Sequence, residues 1–151
     1  MTERRDRAQH WTDPPCPVAR AVDLVGDRWS LLILRDAFDG TRTFLDFQRG
    51  IGIAKNILAD RLRRLVDDGV LSKQTATSGK RQEYVLTDAG QQLHTVLLAL
   101  RQWGETYAFD PGEPHSVLVD DQTGAPVPTL RLQRQDGTTL TAANTHVEKL
   151  D

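Results

Sequence analysis

The middle of the sequence concentrates side chains that bind anionic groups. Between Thr41 and Arg81 nine lysines and arginines stand against four aspartates, a net charge of +5, although the whole chain of 151 residues carries −2. Guanidinium and ammonium groups hold phosphate oxygens through charge-assisted hydrogen bonds. After Asp110 the chain is acidic instead, with three basic residues, six acids and a net charge of −3. A polyanion would therefore meet the middle of this chain and not its end.

Two short helices are predicted inside this basic stretch. Thr43 resembles the first residue of a capping box that opens the helix FLDFQR, and Gly50 and Gly52 break that helix. A second helix is predicted from about Ala54 to Asp68. It is marked by leucines at the i, i+4, i+7 spacing of one buried stripe, which are Leu58, Leu62 and Leu65.

A two-stranded hairpin is predicted directly after these helices. Its strands would be VLSKQTA and QEYVL, joined by the turn TSGKR. The tip of this turn carries Lys80 and Arg81. Thr87 and Asp88 then predict the cap of a long helix that continues to about Tyr107.

The flanking segments have simpler patterns. Residues 1–15 read as a polar, poorly ordered lead, and Pro17 is expected to begin a short helix. Asp27 would cap the helix RWSLLILRDAF, which is apolar enough to form the centre of the core. After Pro111 the pieces HSVLV, TLRLQ and TTLTA alternate with turn signals, which predicts short strands.

The order of helix, break, helix and basic hairpin is typical of a protein that binds duplex DNA. One helix enters the major groove with polar side chains toward the base edges, while the preceding helix clamps it from behind. Phe44, Leu45 and Phe47 are expected to form this clamp. The hairpin tip would lie along the phosphate backbone or enter the adjacent minor groove.

These segments also resemble a known family. The strings CPV, GDRWSLLILRD, FLDFQRGIGIAKNILADRL and YVLTDAG are similar to those of the HxlR family of bacterial winged helix-turn-helix transcription regulators, over about Cys16 to Tyr107. The resemblance implies a homodimer joined through the first and last helices of the winged domain. The positions that it assigns to the dimer interface are Val18, Val22, Leu97, Leu100, Trp103 and Tyr107.

The resemblance further implies which residues meet DNA, with the Ala54 helix reading the major groove. The predicted DNA-binding set comprises Arg42, Thr43, Lys55, Asn56, Ala59, Asp60, Arg61, Arg63, Lys80 and Arg81. Ala54 and Ala59 stand where the family commonly has hydroxyl residues, so the operator sequence cannot be carried over. The alternative interpretation of these arginines is a solvated helix face with i, i+4 ion pairs, Asp60 with Arg64 and Arg63 with Asp67.

Cys16 is the one cysteine of the sequence and suggests a sensor. It matches the CP position of relatives that act as thiol switches for quinones, aldehydes or oxidants, and the start of a helix favours thiol reactivity. The alternative is a small residue that merely begins a helix. A single cysteine cannot form an internal disulfide, which agrees with a reducing, cytoplasmic location. The N-terminus lacks the apolar core of a signal peptide, and no membrane association is expected.

Enzyme and metal functions are disfavoured by the residues present. The four histidines, His10, His94, His115 and His146, lack metal-ligand spacing, and no nucleophile, base and orienting group stand at related positions. No cofactor is expected. An enzyme with Cys16 as nucleophile would need a base that the sequence does not reveal. A winged-helix module that binds protein and not DNA is the main rival, supported by the acidic tail and the near-neutral total charge.

The sequence thus predicts an α+β, mainly α protein. It would be a winged helix-turn-helix with a long C-terminal dimerisation helix and a small strand-rich C-terminal extension. Residues 1–15 would form a flexible lead, residues 16–108 the DNA-binding and dimerisation domain, and residues 109–151 the extension. The predicted function is transcriptional regulation by a homodimer on double-stranded DNA at a pseudo-palindromic operator, with repression expected and activation as the alternative. A small-molecule effector or thiol oxidation would control it.

Overall fold

The computed structural model describes residues 10–150, and its elements are numbered within that range. They are α1 (Pro17–Val25), α2 (Arg28–Phe38), α3 (Phe44–Ile51), α4 (Lys55–Asp67), β1 (Leu71–Thr75), β2 (Gln82–Leu86), α5 (Asp88–Gln91) and α6 (His94–Tyr107). The predicted fold class, mainly helical with a small two-stranded sheet, is confirmed. The chain divides into two compact units, one ending at His94 and one beginning at Thr95. The domain boundary after residue 108 stays a prediction.

Side-chain hydrogen bonds cap the starts of two helices in the first unit. The carboxylate of Asp27 accepts the amide of Ser30 at 3.1 Å at the start of α2. The hydroxyl of Thr43 accepts the amide of Asp46 at 3.2 Å at the start of α3. These bonds satisfy amides that have no partner inside the helix, so both predicted helix starts are confirmed.

The core of the first unit lies between α2, α3 and α4, which pack against one another. Ile33 and Leu34 of α2 are fully buried, as is Phe47 of α3. The predicted leucine stripe of α4 is confirmed, since Leu58, Leu62 and Leu65 are fully buried. Burying such side chains stabilises the fold by about 1.5–3 kcal/mol each relative to leaving them exposed.

The predicted hairpin is also confirmed. β1 and β2 pair in antiparallel register from Leu71 opposite Leu86 to Thr75 opposite Gln82. The turn between them is closed by a bond of 2.7 Å from the amide of Ala76 to the carbonyl of Arg81.

The single long helix predicted after Thr87 is instead two helices, α5 and α6. The hydroxyl of Thr87 accepts the amide of Gly90 at 3.1 Å and lies 2.6 Å from the carbonyl oxygen of Gly69, so the start of α5 is anchored to the turn between α4 and β1. A side chain at position 90 would meet the carbonyl oxygen of Val70. The amide of Leu93 bonds back only three residues, to Gly90 at 3.1 Å, which is the tighter pattern with which helices end.

Residues 10–15 lie against α1, although the sequence suggested a poorly ordered lead. The amide and hydroxyl of Thr12 donate to the carboxylate of Asp23 at 3.0 and 2.8 Å. The guanidinium of Arg20 donates to the carbonyl of Pro14 at 2.6 Å and lies 5.1 Å from the centre of the Trp11 ring. Residues 1–9 of the predicted lead lie outside the described residues.

The second unit contains most of α6 and the extension, and the strand-rich extension that we predicted is corrected. Only two isolated bridges join its pieces, Val119 with Pro126 and Gln133 with Thr139. Local bonds compete with a ladder, since the Asp120 carboxylate accepts the amide of Gln122 at 2.7 Å. No residue from 95 to 150 is fully buried.

Two side chains of α6 hold the extension to the helix within the second unit. The guanidinium of Arg101 donates to the carbonyl of Ser116 at 3.1 Å. The amide side chain of Gln102 donates to the carbonyl of Pro128 at 3.0 Å and accepts the backbone amide of Leu130 at 2.8 Å. Across the described residues, no helix has both the length and the apolar character that crossing a bilayer requires.

Candidate nucleic-acid interface

The turn between α3 and α4 sets the relation of these two helices. Gly52 has a φ of +71°, a conformation that residues with a Cβ rarely adopt, and its amide bonds to the carbonyl of Gln48 at 2.9 Å. Ile53 follows and is buried beneath the turn. Phe47 is the buried part of the predicted clamp, Phe44 is half-buried, and Leu45 is exposed and does not belong to it.

The first five residues of α4 include three side chains that are expected to face DNA. Lys55, Asn56 and Ala59 are all exposed, as the sequence predicted, while the three leucines of the stripe are fully buried. Ala54 stands at the cap position and makes no side-chain bond to the helix. The first amides of α4 therefore lack the cap that a hydroxyl residue would supply.

Asp60 forms the centre of an arginine cluster on α4. Its Oδ1 accepts Nη2 of Arg63 at 2.7 Å, and its Oδ2 accepts Nη1 of Arg61 at 2.7 Å. Nε of Arg64 lies 3.2 Å from the same Oδ2. Burial favours a higher pKa for Asp60, but hydrogen bonds and charge from the arginines outweigh it and hold the pKa below its ordinary value.

Both ion pairs that the alternative interpretation, a solvated helix face, requires are present. Arg64 pairs with Asp60 one turn away, and Arg63 lies 3.9 Å from Asp67. The arginine face of α4 is thus internally paired, and it is also exposed, because the Arg63 and Arg64 side chains are 66% and 58% accessible.

Arg61 differs from its neighbours because it is turned toward the protein. Its Nε donates to Oδ2 of Asp27 at 3.0 Å, and its side chain is only 23% exposed. The bond to Asp27 is the main reason that the pKa of Arg61 is raised. Burial favours a higher pKa for Asp27, but bonds from Ser30 and from Arg61 outweigh it and lower that pKa.

The hairpin carries its cations at an exposed tip. Lys80 and Arg81 are exposed beside Gly79, whose φ of +81° suits the turn, and neither side chain makes an ion pair within the described residues. Arg42, before α3, lies 3.6 Å from the Glu83 carboxylate, and its carbonyl accepts the amide of Tyr84 at 2.7 Å. The start of α3 is therefore fixed to β2. Thr43 is half-buried at the cap beside it.

Three further exposed cations lie in the basic stretch between Thr41 and Arg81 but do not belong to the predicted DNA-binding set. Arg49 lies on α3, Arg64 on α4 and Lys73 on β1, where its ammonium lies 5.8 Å from the centre of the Tyr84 ring. The charge count of the basic stretch contained all three. No sequence pattern predicted the ion pairs of Asp27 with Arg61 and of Arg42 with Glu83, because the two residues of each pair are far apart in sequence.

The positions assigned to the dimer interface lie on two helices, one in each unit. On α1, Val18 and Val22 are exposed. On α6, Leu100, Trp103 and Tyr107 are exposed, and the rings of Trp103 and Tyr107 are 5.4 Å apart. Leu97 is half-buried.

Cys16 takes the cap position of α1. Its Sγ accepts the amide of Ala19 at 3.4 Å, and the residue is half-buried. Within residues 10–150 no group of three or more histidine, cysteine, aspartate or glutamate side chains is arranged to hold a metal ion.

Comparison with known proteins gives this arrangement a family. Residues 24–111 match the HxlR-like helix-turn-helix family. An uncharacterised HTH-type transcriptional regulator of Mycobacterium tuberculosis is 39% identical over 128 residues, which cover 84% of this chain and 81% of that protein. Another, from Bacillus subtilis, is 33% identical over 94 residues, which cover 61% and 73% of the two chains.

Solved structures agree with the family match. The crystal structure of PA1607, assigned as a transcription factor, has a TM-score of 0.87 at 49% identity and covers 95% of this chain and 99% of its own. The reduced transcriptional regulator YodB from Bacillus subtilis has a TM-score of 0.55 at 29% identity, covering 65% and 98%. The reduced redox regulator HypR has a TM-score of 0.57 at 28% identity, covering 62% and 94%. The chain therefore belongs to the HxlR-like helix-turn-helix family and is a DNA-binding transcription regulator.

Proposed function

We propose that the protein represses transcription as a homodimer bound to a pseudo-palindromic operator. The observation that carries the proposal is the start of α4, where Lys55, Asn56 and Ala59 are exposed while the leucines of the same helix are fully buried. A helix with a fixed back and an open polar front is what entry into the major groove requires. Bound to chromosomal DNA in the cytoplasm, the dimer would block polymerase.

Base reading falls to few side chains in this proposal. Asn56 can pair with adenine through two bonds, and Lys55 can donate to guanine. Ala59 offers a methyl group that can meet the methyl group of thymine. Good bidentate contacts discriminate against a wrong base by about 1–3 kcal/mol each, so these positions would set the operator sequence.

Phosphate binding falls to the exposed cations. Lys80 and Arg81 at the hairpin tip, Arg63 on α4 and Arg42 beside Thr43 would supply most of the affinity. Arg61 was predicted to join them, but in our proposal its bonds to Asp27 and Asp60 give it a structural role instead of a phosphate contact. The sequence-independent part of binding thus comes from the edges of the site and the sequence-dependent part from its centre.

The dimer would use the exposed apolar side chains of α1 and of α6. Val18 and Val22 on one helix, and Leu100, Trp103 and Tyr107 on the other, leave large apolar areas in contact with water in one protomer. Patches of this kind mark interaction sites. Two protomers related by a two-fold axis would place their α4 helices in successive major grooves, about one helical turn of DNA apart.

Control by thiol oxidation is a further part of the proposal. Cys16 accepts an amide of α1 through its sulfur, so oxidation of the thiol would remove a helix cap at the proposed dimer interface. Relatives of similar fold include the redox regulator HypR and a diamide-treated form of YodB. A small-molecule effector acting at the same interface would also change the spacing of the two α4 helices.

The test is selection of duplexes from a random library by the purified protein, followed by mobility shifts on the enriched sequence. We expect a two-fold symmetric site, and we expect Lys55→Ala with Asn56→Ala to abolish the preference for it. Arg134→Ala, which removes an exposed arginine of the acidic extension, is the matched control and should bind as wild type. A library from which no duplex is enriched would instead support a module that binds protein.

A further inference from the structure

Asp60 is an acid in the middle of the helix that we propose reads DNA. Its carboxylate accepts bonds from Arg61 and Arg63 at 2.7 Å and lies 3.2 Å from Arg64. We propose that Asp60 is a specificity-determining residue that restrains the arginines of α4 and so lowers affinity for duplexes of arbitrary sequence. This inference rests on the proposed function of α4.

The arginines differ in how easily they can leave Asp60. The side chains of Arg63 and Arg64 are 66% and 58% exposed, and exposed ion pairs contribute little to stability. A phosphate can therefore replace the carboxylate as their partner. Arg61 is only 23% exposed and is also bonded to Asp27, so it stays in place and keeps Asp60 in a fixed position.

Exchange of partners makes non-specific binding weak. On a duplex of arbitrary sequence, Arg63 and Arg64 bind a phosphate but give up Asp60, and the carboxylate, which keeps only Arg61, is left near the polyanion. On the operator, bonds from Lys55 and Asn56 to the bases supply part of the affinity, so binding there relies less on the exchange of Asp60 for a phosphate. Affinity thus depends more strongly on the bases than it would with a neutral residue at position 60.

Direct base reading is a different role that an aspartate on such a helix can have, because a carboxylate accepts the amino group of cytosine. A carboxylate has about four acceptor positions; here hydrogen bonds from Arg61 and Arg63 occupy two of them, and the Arg64 guanidinium lies 3.2 Å from Oδ2. The geometry therefore favours restraint of arginines over contact with a base.

The experiment measures binding of the full-length protein to a fixed duplex of arbitrary sequence over a series of salt concentrations. In Asp60→Asn the side chain keeps its size and loses its charge. We expect affinity for this duplex to rise about tenfold, and the slope of log K against log salt to steepen by about one for each protomer. Affinity for the selected operator should rise less, so the ratio of specific to non-specific binding falls.

Two control variants separate this role from a change of net charge or of fold. Asp67→Asn removes the same charge from α4, but Asp67 lies 3.9 Å from Arg63 and contacts no other arginine of the cluster within the described residues. The affinity of this variant for the duplex of arbitrary sequence should therefore stay within about twofold of wild type. Asp60→Glu keeps the charge and should retain the weak non-specific binding of wild type.

The outcomes are distinct. Unchanged non-specific affinity and slope in Asp60→Asn would overturn the inference, as would an equal rise in Asp67→Asn. A changed base preference at one operator position, with unchanged non-specific binding, would overturn it in favour of base reading. A wild-type protein that binds no duplex at all would refute the proposed function itself, which is seen before any variant is compared.

Discussion

The guanidinium of Arg61 lies 3.0 Å from the carboxylate of Asp27 and joins the start of α2 to the middle of α4. The two residues are 34 positions apart in the sequence. Asp27 also caps α2 through the amide of Ser30, so one carboxylate serves a helix start and a contact between helices. The orientation of α4 is thus fixed by a polar bond in addition to its leucine stripe.

Arg61→Ala is expected to destabilise the protein without weakening non-specific DNA binding. The loss of a partly exposed charged hydrogen bond should lower the free energy of unfolding by about 1–2 kcal/mol. Urea denaturation measures this change. Arg64→Ala is the control, since its more exposed pair should change stability by less than about 0.5 kcal/mol. An Arg61→Ala protein as stable as wild type would show that the bond to Asp27 does not fix α4.

The contribution of Asp27 to stability should depend on pH. Its pKa is lowered in the folded protein, so its contribution is present above the ordinary carboxyl value of about 4 and is lost as the pH falls through the lowered pKa. Asp27→Asn keeps a good helix cap and removes the charge. The gap in unfolding free energy between wild type and variant should therefore be largest near neutral pH and close below about pH 4. Chemical denaturation across this range measures it, and a gap that widens in acid would contradict the expectation.

The hairpin tip should contribute affinity without sequence preference. Arg81→Ala is expected to weaken binding to operator and to arbitrary duplex by similar factors, because a bond to phosphate carries no base information. The slope of log K against log salt should become shallower by about 0.9 for each phosphate that the protein no longer neutralises. Fluorescence anisotropy over a salt series measures both effects. Weaker binding confined to the operator would mean that Arg81 reads bases in the minor groove.

Cys16→Ser should separate the structural and the chemical role of the thiol. Serine is a good helix cap, so the variant is expected to fold and to bind the operator as wild type does. With diamide added, wild-type binding should be lost while the variant keeps it. Mobility shifts with and without oxidant measure the difference. Equal sensitivity of both proteins would remove Cys16 from the control of binding.

The α6 face is expected to be needed for dimer formation. Leu100→Asp places a charge in an exposed apolar stripe, and the proposed dimer should dissociate with a loss of operator affinity, because two half-sites are no longer bound together. Analytical ultracentrifugation measures the mass. Thr95→Asp is the control, since residue 95 lies about 140° from residue 100 around the helix. A Leu100→Asp protein that remains a dimer would exclude this face.

Patterns that are local in sequence were sufficient to predict the elements of the first unit from α1 to β2. The leucine spacing of α4, the glycine break before it and the alternating strands of the hairpin each depend on a few neighbouring residues. The division between α5 and α6 was missed because it arises from contacts of Thr87 and Gly90 with Gly69 and Val70. The bond between Asp27 and Arg61 could not be predicted, since any of several acids could have met that arginine.

The extension was misjudged for a related reason. Its apolar residues alternate as strands do, but Asp120 and Asp136 bond to amides of their own turns, and only isolated bridges form. Alternation predicts a strand when a second surface covers one face of it. In the second unit of one protomer no such surface buries these residues.

The absence of a fully buried residue between positions 95 and 150 has a consequence for thermodynamics. A segment that buries little apolar surface by itself gains little free energy to offset the entropy of ordering its chain. In the proposed dimer, folding and association of these residues would be one equilibrium, and the midpoint of their melting should move with protein concentration. Backbone amides of α4, whose leucines are buried in the first unit, would exchange with solvent at a rate that does not depend on protein concentration. Backbone amides of α6 would exchange faster as the protein is diluted.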